Sequence, residues 1–425
     1  MCAKAAEIKA TRCFELLHKC TRKGKTDMKN YLIVGNGVAG TTAAEHIRKQ
    51  DSAGTVTILT DENFPFYWRI RLNDFLAGDI AEDALVAKHT QWYEEQRIDL
   101  KLGTRIVGAE PKEKVLRTEN NQRFTYDSLM VATGSHSFIP PIHGSEKKGV
   151  FALRSIQDAR DISAWAEGMN DVVLIGGGLL GLEAGNALRK LGKRVTIVEF
   201  FPRLLPRQLD VDGAKMLQDT MENMGFSFRL GAKTQEITGN DRVSGVLLEG
   251  GETLNSEMVV ISAGVRPNME LAEPLGLEHD KGISVDEHLR TNQPDIYAAG
   301  DVAEFNGLPY GIWPAAMEQG KIAGTNMAGG SMAYSGTTMA NTLKVVGVDL
   351  ASAGNIDAEN ELESRVVTGE NIYRKAVFEN NQIVGCIMLG DTNAFNKVTK
   401  LMSEKADISR VKDQILSKDF DFGGI

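Results

Sequence analysis

The chain has 425 residues, a formal net charge of −9 and no run of apolar residues long enough to span a membrane. This length suffices for two or three packed domains. The acidic charge argues against non-specific binding to nucleic acid, which depends on neutralising phosphates, and the N-terminus has no secretion-signal pattern. We therefore expect a cytoplasmic protein that neither binds nucleic acid nor enters a membrane.

Residues 1–27 differ in composition from the rest of the chain. They carry seven Lys and Arg against three acids, and they hold three of the four cysteines, Cys2, Cys13 and Cys20. The spacing of these cysteines matches no zinc, haem or iron–sulfur pattern, so we expect reduced thiols without a catalytic role and no metal site. We expect residues 1–28 to form a flexible extension ahead of the first strand.

From Tyr31 the chain alternates buried strands with amphipathic helices, which predicts parallel sheets covered by helices. The order strand, glycine turn, helix, strand occurs first in NYLIVG, VAGTTAAEHIRKQ and GTVTILTD. It recurs in DVVLIG, LLGLEAGNALRKLG and KRVTIVE, and shorter β-rich runs follow each copy. Beyond about residue 330, segments such as NTLKVVGVDLASAG and the helical NAFNKVTKLMSE indicate a compact C-terminal α+β unit.

Both glycine turns have the G-x-G-x-x-G spacing of dinucleotide-binding sites. The first glycine of such a turn permits a tight bend, the second lets a pyrophosphate approach the backbone, and the third lets the helix pack on the strand. The helix N-terminus then offers free N–H groups to the phosphates. The sequence therefore predicts two dinucleotide sites. Their glycines are, in chain order, Gly35, Gly37, Gly40, Gly176, Gly178 and Gly181.

An acid at the end of the following strand is expected to hold the ribose diol of each dinucleotide. In the second copy Glu199 ends VTIVE, which favours NADH because a carboxylate repels the 2′-phosphate of NADPH. Arg203 and Arg207 follow closely and could accommodate the 2′-phosphate, so NADPH remains an alternative donor. In the first copy both Asp61 and Glu62 are candidates for the ribose acid.

Five motifs follow one another in residues 29–330: VGNGVAG, VATG, GGGLLGLE, SAGVRPN and TNQPDIYAAGDVA. In this order they resemble the pyridine nucleotide-disulfide oxidoreductase superfamily of flavoprotein reductases. The resemblance implies an α/β fold with two Rossmann-like domains, one for non-covalent FAD and one for NAD(P)H, and a small C-terminal α+β domain. The implied division is an FAD-binding domain in residues 29–147 and 268–330, an NAD(P)H-binding domain in 148–267 and an interface domain in 331–425.

The resemblance also implies cofactor contacts in the later motifs. Asp301 would hydrogen-bond the ribityl chain of the flavin. The helix that begins at Trp313 would aim its N-terminus at the flavin, with Ala315 and Ala316 allowing close approach. Further contacts are expected from Val38, Ala39, Ala132, Thr133, Gly134, Leu179, Leu180, Gly264 and Gly300.

Two further residues are expected to contribute to catalysis. Arg69 resembles a basic residue near the flavin in cysteine-free reductases, in a segment where Trp68 and Ile70 depart from the family pattern. A fixed cation there would favour the reduced flavin anion. Glu183 resembles a glutamate near the nicotinamide, and an ordinary acid in the first helical turn is an equally good interpretation.

No cysteine lies between Cys20 and Cys386, so the redox-active cysteines of the related disulfide reductases, NADH oxidases and peroxidases have no counterpart at the matching positions. We therefore expect direct hydride transfer from NADH to FAD, followed by electron transfer to an external acceptor. C-terminal segments such as GCIMLGDTNAFNKVTKLM resemble NADH:rubredoxin reductases and the flavin portion of assimilatory nitrite reductases.

The leading hypothesis is an FAD-dependent NAD(P)H oxidoreductase that reduces a small redox protein such as rubredoxin. A symmetric homodimer is compatible with it. The alternatives are an NADH oxidase or peroxidase acting on O₂ or peroxide, a flavin-based regulatory or assembly protein, and a subunit of a larger reductase complex.

Overall fold

The computed structural model describes residues 28–337, 340–417 and 420, and for 340–345 the backbone alone. The extension predicted at residues 1–28 and the cysteines Cys2, Cys13 and Cys20 therefore lie outside the described residues, except for Met28. No helix in the described part of the chain is long and apolar enough to cross a membrane.

The strands and helices follow the repeating order expected from the sequence. The strands are β1 (Asn30–Val34), β2 (Thr55–Leu59), β3 (Ile98–Lys101), β4 (Ile106–Glu110), β5 (Val115–Thr118), β6 (Arg123–Thr125), β7 (Ser128–Val131), β8 (Ser135–Ser137), β9 (Val150–Phe151), β10 (Asp171–Ile175), β11 (Arg194–Glu199), β12 (Ser227–Leu230), β13 (Thr234–Thr238), β14 (Gly245–Leu248), β15 (Thr253–Asn255), β16 (Met258–Ile261), β17 (Val265–Pro267), β18 (Ile283–Val285), β19 (Ile296–Ala298), β20 (Ala303–Phe305), β21 (Ala340–Val345), β22 (Val348–Gly354), β23 (Glu363–Gly369), β24 (Ile372–Glu379) and β25 (Gln382–Leu389). The α-helices are α1 (Val38–Gln50), α2 (Leu72–Leu76), α3 (Thr90–Glu95), α4 (Ile156–Ala166), α5 (Leu179–Lys190), α6 (Val211–Asn223), α7 (Ala272–Leu275), α8 (Trp313–Met327) and α9 (Phe395–Glu404), and 3₁₀ turns cover Arg69–Arg71 and Glu82–Leu85.

The first compact unit comprises residues 28–66, 88–134 and 267–336. Its main sheet is parallel and has the strand order β19–β7–β1–β2–β3. The chain leaves β1 for β2 on one side and later returns to β7 on the other side. Strand order therefore reverses at β1, and the carboxyl end of such a strand is where open α/β sheets bind ligands. The unit also contains the antiparallel sheet β4–β5–β6 and the strand pair β18–β20.

Helix α8 of the first unit packs so closely on α1 that the backbones of the two helices are in contact. A Cβ added to Gly320 would lie 2.4 Å from the carbonyl oxygen of Ala39, and one added to Gly324 would lie 2.4 Å from that of Ala43. Since real side chains do not approach so closely, the two glycines are required for this packing. The late segment Trp313–Met327 thus lies directly against the first helix after the first glycine turn.

The second compact unit comprises residues 67–87, 135–266 and those from 337 onward. Its parallel sheet has the order β12–β11–β10–β16–β9, so strand order reverses at β10 as it does at β1. The unit also contains the antiparallel sheet β13–β14–β15. Residues 67–87 and 135–147, which the sequence analysis assigned to the FAD-binding domain, cluster with this second unit.

The C-terminal part of the second unit is an antiparallel sheet of order β21–β22–β25–β24–β23, followed by α9. Its apolar side chains, among them Leu350 and Ile387, share one core with Leu174 on β10 and Leu182 on α5. The C-terminal sheet therefore packs on the parallel sheet that carries the second glycine turn.

Candidate cofactor sites

The first glycine of each turn is held in a conformation that only glycine adopts easily. Gly35 has φ +113° and Gly176 has φ +118°. A Cβ on Gly35 would lie 2.0 Å from the carbonyl oxygen of Ala132, and one on Gly176 would lie 2.2 Å from that of Ser262. In both copies the chain therefore bends out of the central strand against the end of the neighbouring strand.

The middle glycines Gly37 and Gly178 differ, because a Cβ on either would meet no protein atom within 4 Å. Each is the N-cap of the helix that follows, α1 or α5, and neither helix has a side-chain cap. The first N–H groups of both helices are thus available to a ligand beside an open backbone face. This arrangement fits the pyrophosphate of a dinucleotide in both copies.

The third glycines bring each helix onto its own turn. A Cβ on Gly40 would lie 2.0 Å from the carbonyl oxygen of Gly35, and one on Gly181 would lie 2.3 Å from that of Gly176. The close approach of helix and turn that the sequence predicts is therefore present twice.

The carboxylate of Glu199 lies at the second turn. It is buried, and its Oε2 accepts a hydrogen bond of 2.5 Å from the backbone N–H of Gly177, within the glycine turn. Its Oε1 accepts a 2.8 Å bond from the N–H of Phe201. Of the two arginines nearby, Arg203 forms an ion pair with Glu359 at 3.3 Å. Glu199 is thus held in place beside the proposed pyrophosphate site.

The matching acid of the first copy lies further along the chain. Val34 pairs with Leu59 in the first sheet, as Ile175 pairs with Val198 in the second. The residue that corresponds to Glu199 is therefore Thr60, and Asp61 and Glu62 follow one and two positions later. Asp61 is exposed and Glu62 is half-buried. Which of these acids meets a ribose stays a prediction.

Two motifs of the first unit are joined by a reciprocal side-chain bond. Thr133 Oγ1 donates to the carbonyl oxygen of Asn268 at 2.9 Å, and Asn268 Nδ2 donates to the carbonyl oxygen of Thr133 at 2.8 Å. These residues belong to VATG and to SAGVRPN, which lie far apart in the sequence. The two motifs therefore meet at one place in this unit.

Gln319 was missed by the sequence analysis. It is buried on α8, and its Oε1 accepts a 2.8 Å hydrogen bond from the N–H of Gly300, the residue before Asp301. Gln319 lies four and three residues after Ala315 and Ala316, so helical spacing puts it on the same face. That spacing was the available signal, and Gln319 fixes the turn from which Asp301 extends.

Trp313 begins α8, where Pro314 occupies the first turn. Its ring stacks on Phe66 with centroids 5.9 Å apart and an interplanar angle of 27°. Ala315 and Ala316 are buried. Trp313 therefore packs on Phe66, the last residue of the segment 28–66. Its contact with a flavin stays a prediction.

Asn36, inside the first glycine turn, was also missed. It is buried, and its Oδ1 accepts a 3.0 Å hydrogen bond from the hydroxyl of Tyr93. The same hydroxyl accepts a 3.1 Å bond from the N–H of Phe66, and burial raises the pKa of Tyr93. Since the middle positions of a G-x-G motif are variable, sequence spacing carries no signal for this support of the turn.

The predicted site residues divide between the two units. The first unit holds Gly35, Gly37, Val38, Ala39, Gly40, Asp61, Glu62, Ala132, Thr133, Gly134, Gly300, Asp301, Trp313, Ala315 and Ala316. The second unit holds Arg69, Gly176, Gly178, Leu179, Leu180, Gly181, Glu183, Glu199 and Gly264. Thus the residues expected at FAD lie in the first unit and those expected at NAD(P)H lie in the second, with Arg69 as the exception.

Arg69 begins a short 3₁₀ turn in the second unit. Its guanidinium donates a hydrogen bond to the carbonyl oxygen of Arg154 and lies 5.1 Å from the ring centroid of Tyr67. The side chain is therefore held by this unit, and its expected role beside the flavin stays a prediction.

Comparison with known proteins identifies the family of this chain. The family model "Pyridine nucleotide-disulphide oxidoreductase" matches residues 29–320. The chain belongs to the pyridine nucleotide-disulphide oxidoreductase family. A second model, "Rubredoxin NAD+ reductase C-terminal domain", matches residues 340–406. Members of the family use FAD and NAD(P)H, which confirms the cofactors and the fold class expected from the sequence.

The relatives differ in length from this chain. The chain is 37% identical over 385 residues to "Nitrite reductase [NAD(P)H]" of Bacillus subtilis, covering 90% of this chain and 48% of the relative. It is 31% identical to "NADH-rubredoxin oxidoreductase" of Clostridium acetobutylicum, covering 91% and 97%. A crystal structure of NADH:rubredoxin oxidoreductase from that organism has a TM-score of 0.79 and 28% identity, covering 91% of this chain and 98% of the other. The chain spans about half the length of its nitrite reductase relatives.

In this family member, Glu183 contacts the C-terminal sheet. Its Oε1 accepts a 2.8 Å hydrogen bond from the N–H of Val346, a buried residue at the tip of the β21–β22 hairpin. Val346 has φ +54°, which is unfavourable for a β-branched residue and is retained here by burial and by this bond. Burial, together with the negative charge of Asp74, raises the pKa of Glu183.

Replacing Glu183 with glutamine is expected to raise Tm at pH 7 to 8 and to leave it unchanged near pH 4. The folded pKa lies above the unfolded value, so the stabilisation is complete below the unfolded pKa and is lost as pH rises through the folded pKa. Glutamine keeps an oxygen for the Val346 N–H and removes this loss. Thermal melts of both proteins from pH 4 to 8 test the prediction.

Glu183 lies beyond the first turn of α5, so the interpretation as an ordinary first-turn acid is wrong. The same pair of proteins tests whether Glu183 positions the β21–β22 hairpin or takes part in catalysis. A purely positioning role leaves the rate of flavin reduction by NADH unchanged in Glu183→Gln. A large fall in that rate, without the expected change in the pH profile of Tm, contradicts the positioning role and supports a catalytic one.

Cys386, the one described cysteine, lies on β25 and is buried. Burial raises the pKa of its thiol to about 12, so the nucleophilic thiolate does not form near neutral pH. Within the described residues, no group of three or more His, Cys, Asp or Glu side chains is arranged to hold a metal ion.

Proposed function

We propose that this chain is an FAD-dependent oxidoreductase that takes a hydride from NADH in preference to NADPH and passes electrons to a small external redox protein such as rubredoxin. The observation that carries the proposal is the repeated turn, in which Gly37 and Gly178 each leave an open backbone face at an uncapped helix N-terminus. A cytoplasmic location and a homodimer stay predictions.

The chain's own residues bind and orient the two dinucleotides. The first N–H groups of α1 hold the FAD pyrophosphate, and those of α5 hold the pyrophosphate of NADH. Asp301 accepts a hydrogen bond from the ribityl chain. Glu199 accepts hydrogen bonds from the ribose diol of NADH and opposes the 2′-phosphate of NADPH, which accounts for the proposed preference. Bound FAD supplies the chemistry, since it accepts a hydride and releases electrons to an acceptor.

A protein acceptor is supported by two properties of the chain. No cysteine lies between Cys20 and Cys386 in the sequence. The thiol of Cys386 is buried and neutral, so this residue does not provide a redox thiol beside the flavin, and residues 21–385 contain no cysteine that could. A relative named for rubredoxin reduction is matched over 97% of its length, including its C-terminal part. We therefore propose rubredoxin, or a protein of similar size and redox chemistry, as the acceptor.

The test is an anaerobic titration of the FAD-loaded protein with NADH and then with NADPH. The absorbance of the flavin near 450 nm is recorded throughout each titration. Rapid bleaching by NADH and slower bleaching by NADPH are expected. Turnover is then measured with rubredoxin, ferredoxin, cytochrome c and O₂ in parallel. Rubredoxin reduction no faster than that given by free FAD rejects the acceptor, and equal bleaching by the two donors rejects the preference.

A variant of the second turn links the activity to the structure. A methyl group at Gly178 meets no protein atom, so Gly178→Ala should retain FAD and raise KM for NADH by about tenfold or more, through loss of a hydrogen bond to a charged group. Gly185→Ala on the same helix is the control, because its Cβ makes ordinary contacts of 3.4 Å. An unchanged KM in Gly178→Ala contradicts the proposed NADH site.

A second candidate is the electron-input part of a nitrite reductase-type assembly. The similarity to the Bacillus subtilis nitrite reductase, 37% over 385 residues, favours it. In that case the protein isolated from its native source carries additional subunits and iron, and its NADH oxidation is coupled to nitrite rather than to rubredoxin.

A further inference from the structure

The hydroxyl of Tyr93, on α3, connects two segments of the first unit that are separate in the sequence. It donates a 3.0 Å hydrogen bond to Asn36 Oδ1, inside the first glycine turn, and it accepts a 3.1 Å bond from the N–H of Phe66. Tyr93 is 1% exposed, and burial raises the pKa of its hydroxyl, so the hydroxyl stays protonated and keeps both bonds. One buried side chain therefore links the glycine turn to Phe66.

The Asn36 side chain is held through one oxygen. Its Oδ1 also accepts a 3.2 Å bond from Thr41 Oγ1 on α1, whereas its Nδ2 has no hydrogen-bond partner in the described part of the chain. Asn36 lies directly before Gly37, whose open backbone face is the proposed pyrophosphate contact. Loss of the Tyr93 bond would leave Thr41 as the remaining donor to this side chain, so Tyr93 helps to fix the turn.

Helix α8 extends past the start of α1. Gly320 packs on Ala39 and Gly324 packs on Ala43, so residue numbers rise in the same direction along both helices and the helices are parallel. Ala39 is the second residue of α1, whereas Gly320 is the eighth residue of α8. Helix α8 therefore begins about 9 Å beyond the N-terminus of α1, on the side of the carboxyl end of β1.

Trp313, the first residue of α8, lies at this projecting end, where its ring stacks on Phe66 with centroids 5.9 Å apart. Further along α8, Gln319 accepts the hydrogen bond from the N–H of Gly300, so Asp301, proposed above to hold the ribityl chain, follows a turn fixed by the same helix. The ribityl chain joins the pyrophosphate of FAD to the flavin ring. A flavin whose pyrophosphate meets α1 therefore has its ring on the α8 side of the turn.

We propose that Tyr93 is a positioning residue that couples the pyrophosphate turn to the Phe66–Trp313 pair and so sets the distance between the two ends of the flavin half of the FAD site. The inference rests on the proposed FAD site. Because Tyr93 is buried, it acts through Asn36 and Phe66. A nucleotide that occupies only the turn depends on the Asn36 bond, whereas FAD depends on both bonds.

The test compares FAD with ADP, which contains the adenosine and the pyrophosphate but no flavin. The full chain is stripped of FAD and titrated with FAD, with the flavin fluorescence as the signal. ADP is measured as a competitor of FAD, so that ADP bound at the second glycine turn does not contribute. The variant is Tyr93→Phe. Tyr126→Phe is the matched control, because Tyr126 is also buried in the first unit and its hydroxyl has no hydrogen-bond partner among the described residues.

Tyr93→Phe should raise the Kd of FAD about tenfold and the Kd of ADP about two- to threefold, since one hydrogen bond contributes about two- to tenfold and FAD loses the effect of two. The ratio of the two constants should therefore rise at least about threefold, whereas Tyr126→Phe should leave both constants unchanged. A merely structural role would weaken both ligands by the same factor and leave the ratio unchanged.

Phe66→Leu tests the other end of the connection, because it removes the stacking on Trp313 and keeps the backbone N–H that binds Tyr93. It should raise the Kd of FAD and leave that of ADP unchanged. In the double variant Tyr93→Phe/Phe66→Leu the effects on the ratio should be smaller than the product of the single effects, as is usual for residues that act through one another.

Equal weakening of FAD and ADP in Tyr93→Phe overturns the proposal, because Tyr93 then supports the turn alone. Unchanged FAD affinity in that variant also overturns it, as do independent effects of Tyr93→Phe and Phe66→Leu. If Tyr93→Phe does not fold, an unchanged ratio in Phe66→Leu is sufficient to reject the proposal. Failure of the proposed FAD site gives a different result, since ADP then does not displace FAD from the wild-type protein.

Discussion

Replacing Lys375 with methionine is expected to lower the free energy of unfolding by about 3–5 kcal/mol, the usual cost of removing one partner of a buried ion pair. Lys375 on β24 is fully buried, and its Nζ lies 3.0 Å from Oδ2 of Asp210, which is also buried. Its Nζ also donates to the carbonyl oxygen of Asp357 at 2.8 Å and to Asn360 Oδ1 at 2.7 Å. Every hydrogen of the ammonium therefore has an acceptor, and the substitution leaves a buried carboxylate without its cation.

The carboxylate of Asp210, which the substitution leaves without its cation, also accepts two other hydrogen bonds. Asp210 caps α6 by accepting a 3.0 Å bond from the N–H of Gly213, and it accepts a 2.6 Å bond from the hydroxyl of Tyr373. Burial, together with this bond to Asp210, raises the pKa of Tyr373, so the hydroxyl remains a donor. The pair thus joins the N-terminus of α6 to the C-terminal sheet.

Urea unfolding followed by circular dichroism measures the effect, with Lys400→Met as the control. Lys400 forms a 3.7 Å pair with Glu404 on the surface of α9, and losing an exposed pair costs about 0–1 kcal/mol. The double variant Lys375→Met/Asp210→Asn should recover part of the loss, because it removes the stranded charge. A Lys375→Met variant no less stable than Lys400→Met contradicts the assignment.

A methyl group at Gly35 and one at Gly37 are expected to abolish FAD binding in different ways. At Gly35 the backbone has φ +113° and the new Cβ would lie 2.0 Å from the carbonyl oxygen of Ala132, so the end of β1 must move. The unfavourable backbone angle alone costs about 1–3 kcal/mol. Gly35→Ala should therefore destabilise the apoprotein and lose FAD.

Gly37→Ala should lose FAD while leaving the apoprotein within about 1 kcal/mol of wild-type stability. Gly37 has φ −78°, and the added Cβ meets no protein atom within 4 Å, so the methyl group interferes only with a ligand on the open face. The ratio of absorbance at 450 and 280 nm after gel filtration reports bound FAD, and melts of the stripped proteins report stability. Gly37→Ala protein that keeps FAD at wild-type affinity would falsify the proposed pyrophosphate contact.

The glycine turns were predictable because their signals are local. Strand, turn and helix lie within one short stretch of sequence, and the predicted VAGTTAAEHIRKQ helix is found at Val38–Gln50 without a shift. In the second copy LLGLEAGNALRKLG was predicted as helical, and the helix ends at Lys190, two residues before Gly192, the last residue of that run. Hydrophobic period and glycine spacing determine such elements before any long-range contact forms.

The Lys375–Asp210 pair could not be predicted, since its partners are far apart in the sequence and a lysine in YRKAVFE has the pattern of a solvated strand residue. The equivalence of Thr60 in the first sheet to Glu199 in the second likewise depends on strand register, which is set by tertiary pairing. The contact of Glu183 with Val346 needed the docking of a hairpin whose sequence lies 163 residues away. These features all depend on which elements meet in three dimensions.

The discontinuity of the first unit has a consequence for how the protein is made. Strand β7 pairs with β19, but the 132 residues from 135 to 266 belong to the second unit and leave the ribosome between them. At about 5–20 residues per second, that interval is on the order of ten seconds. During this time the nascent sheet has an open edge at β7 and α1 lacks the packing of α8, so the first unit can be completed only after most of the second has been synthesised.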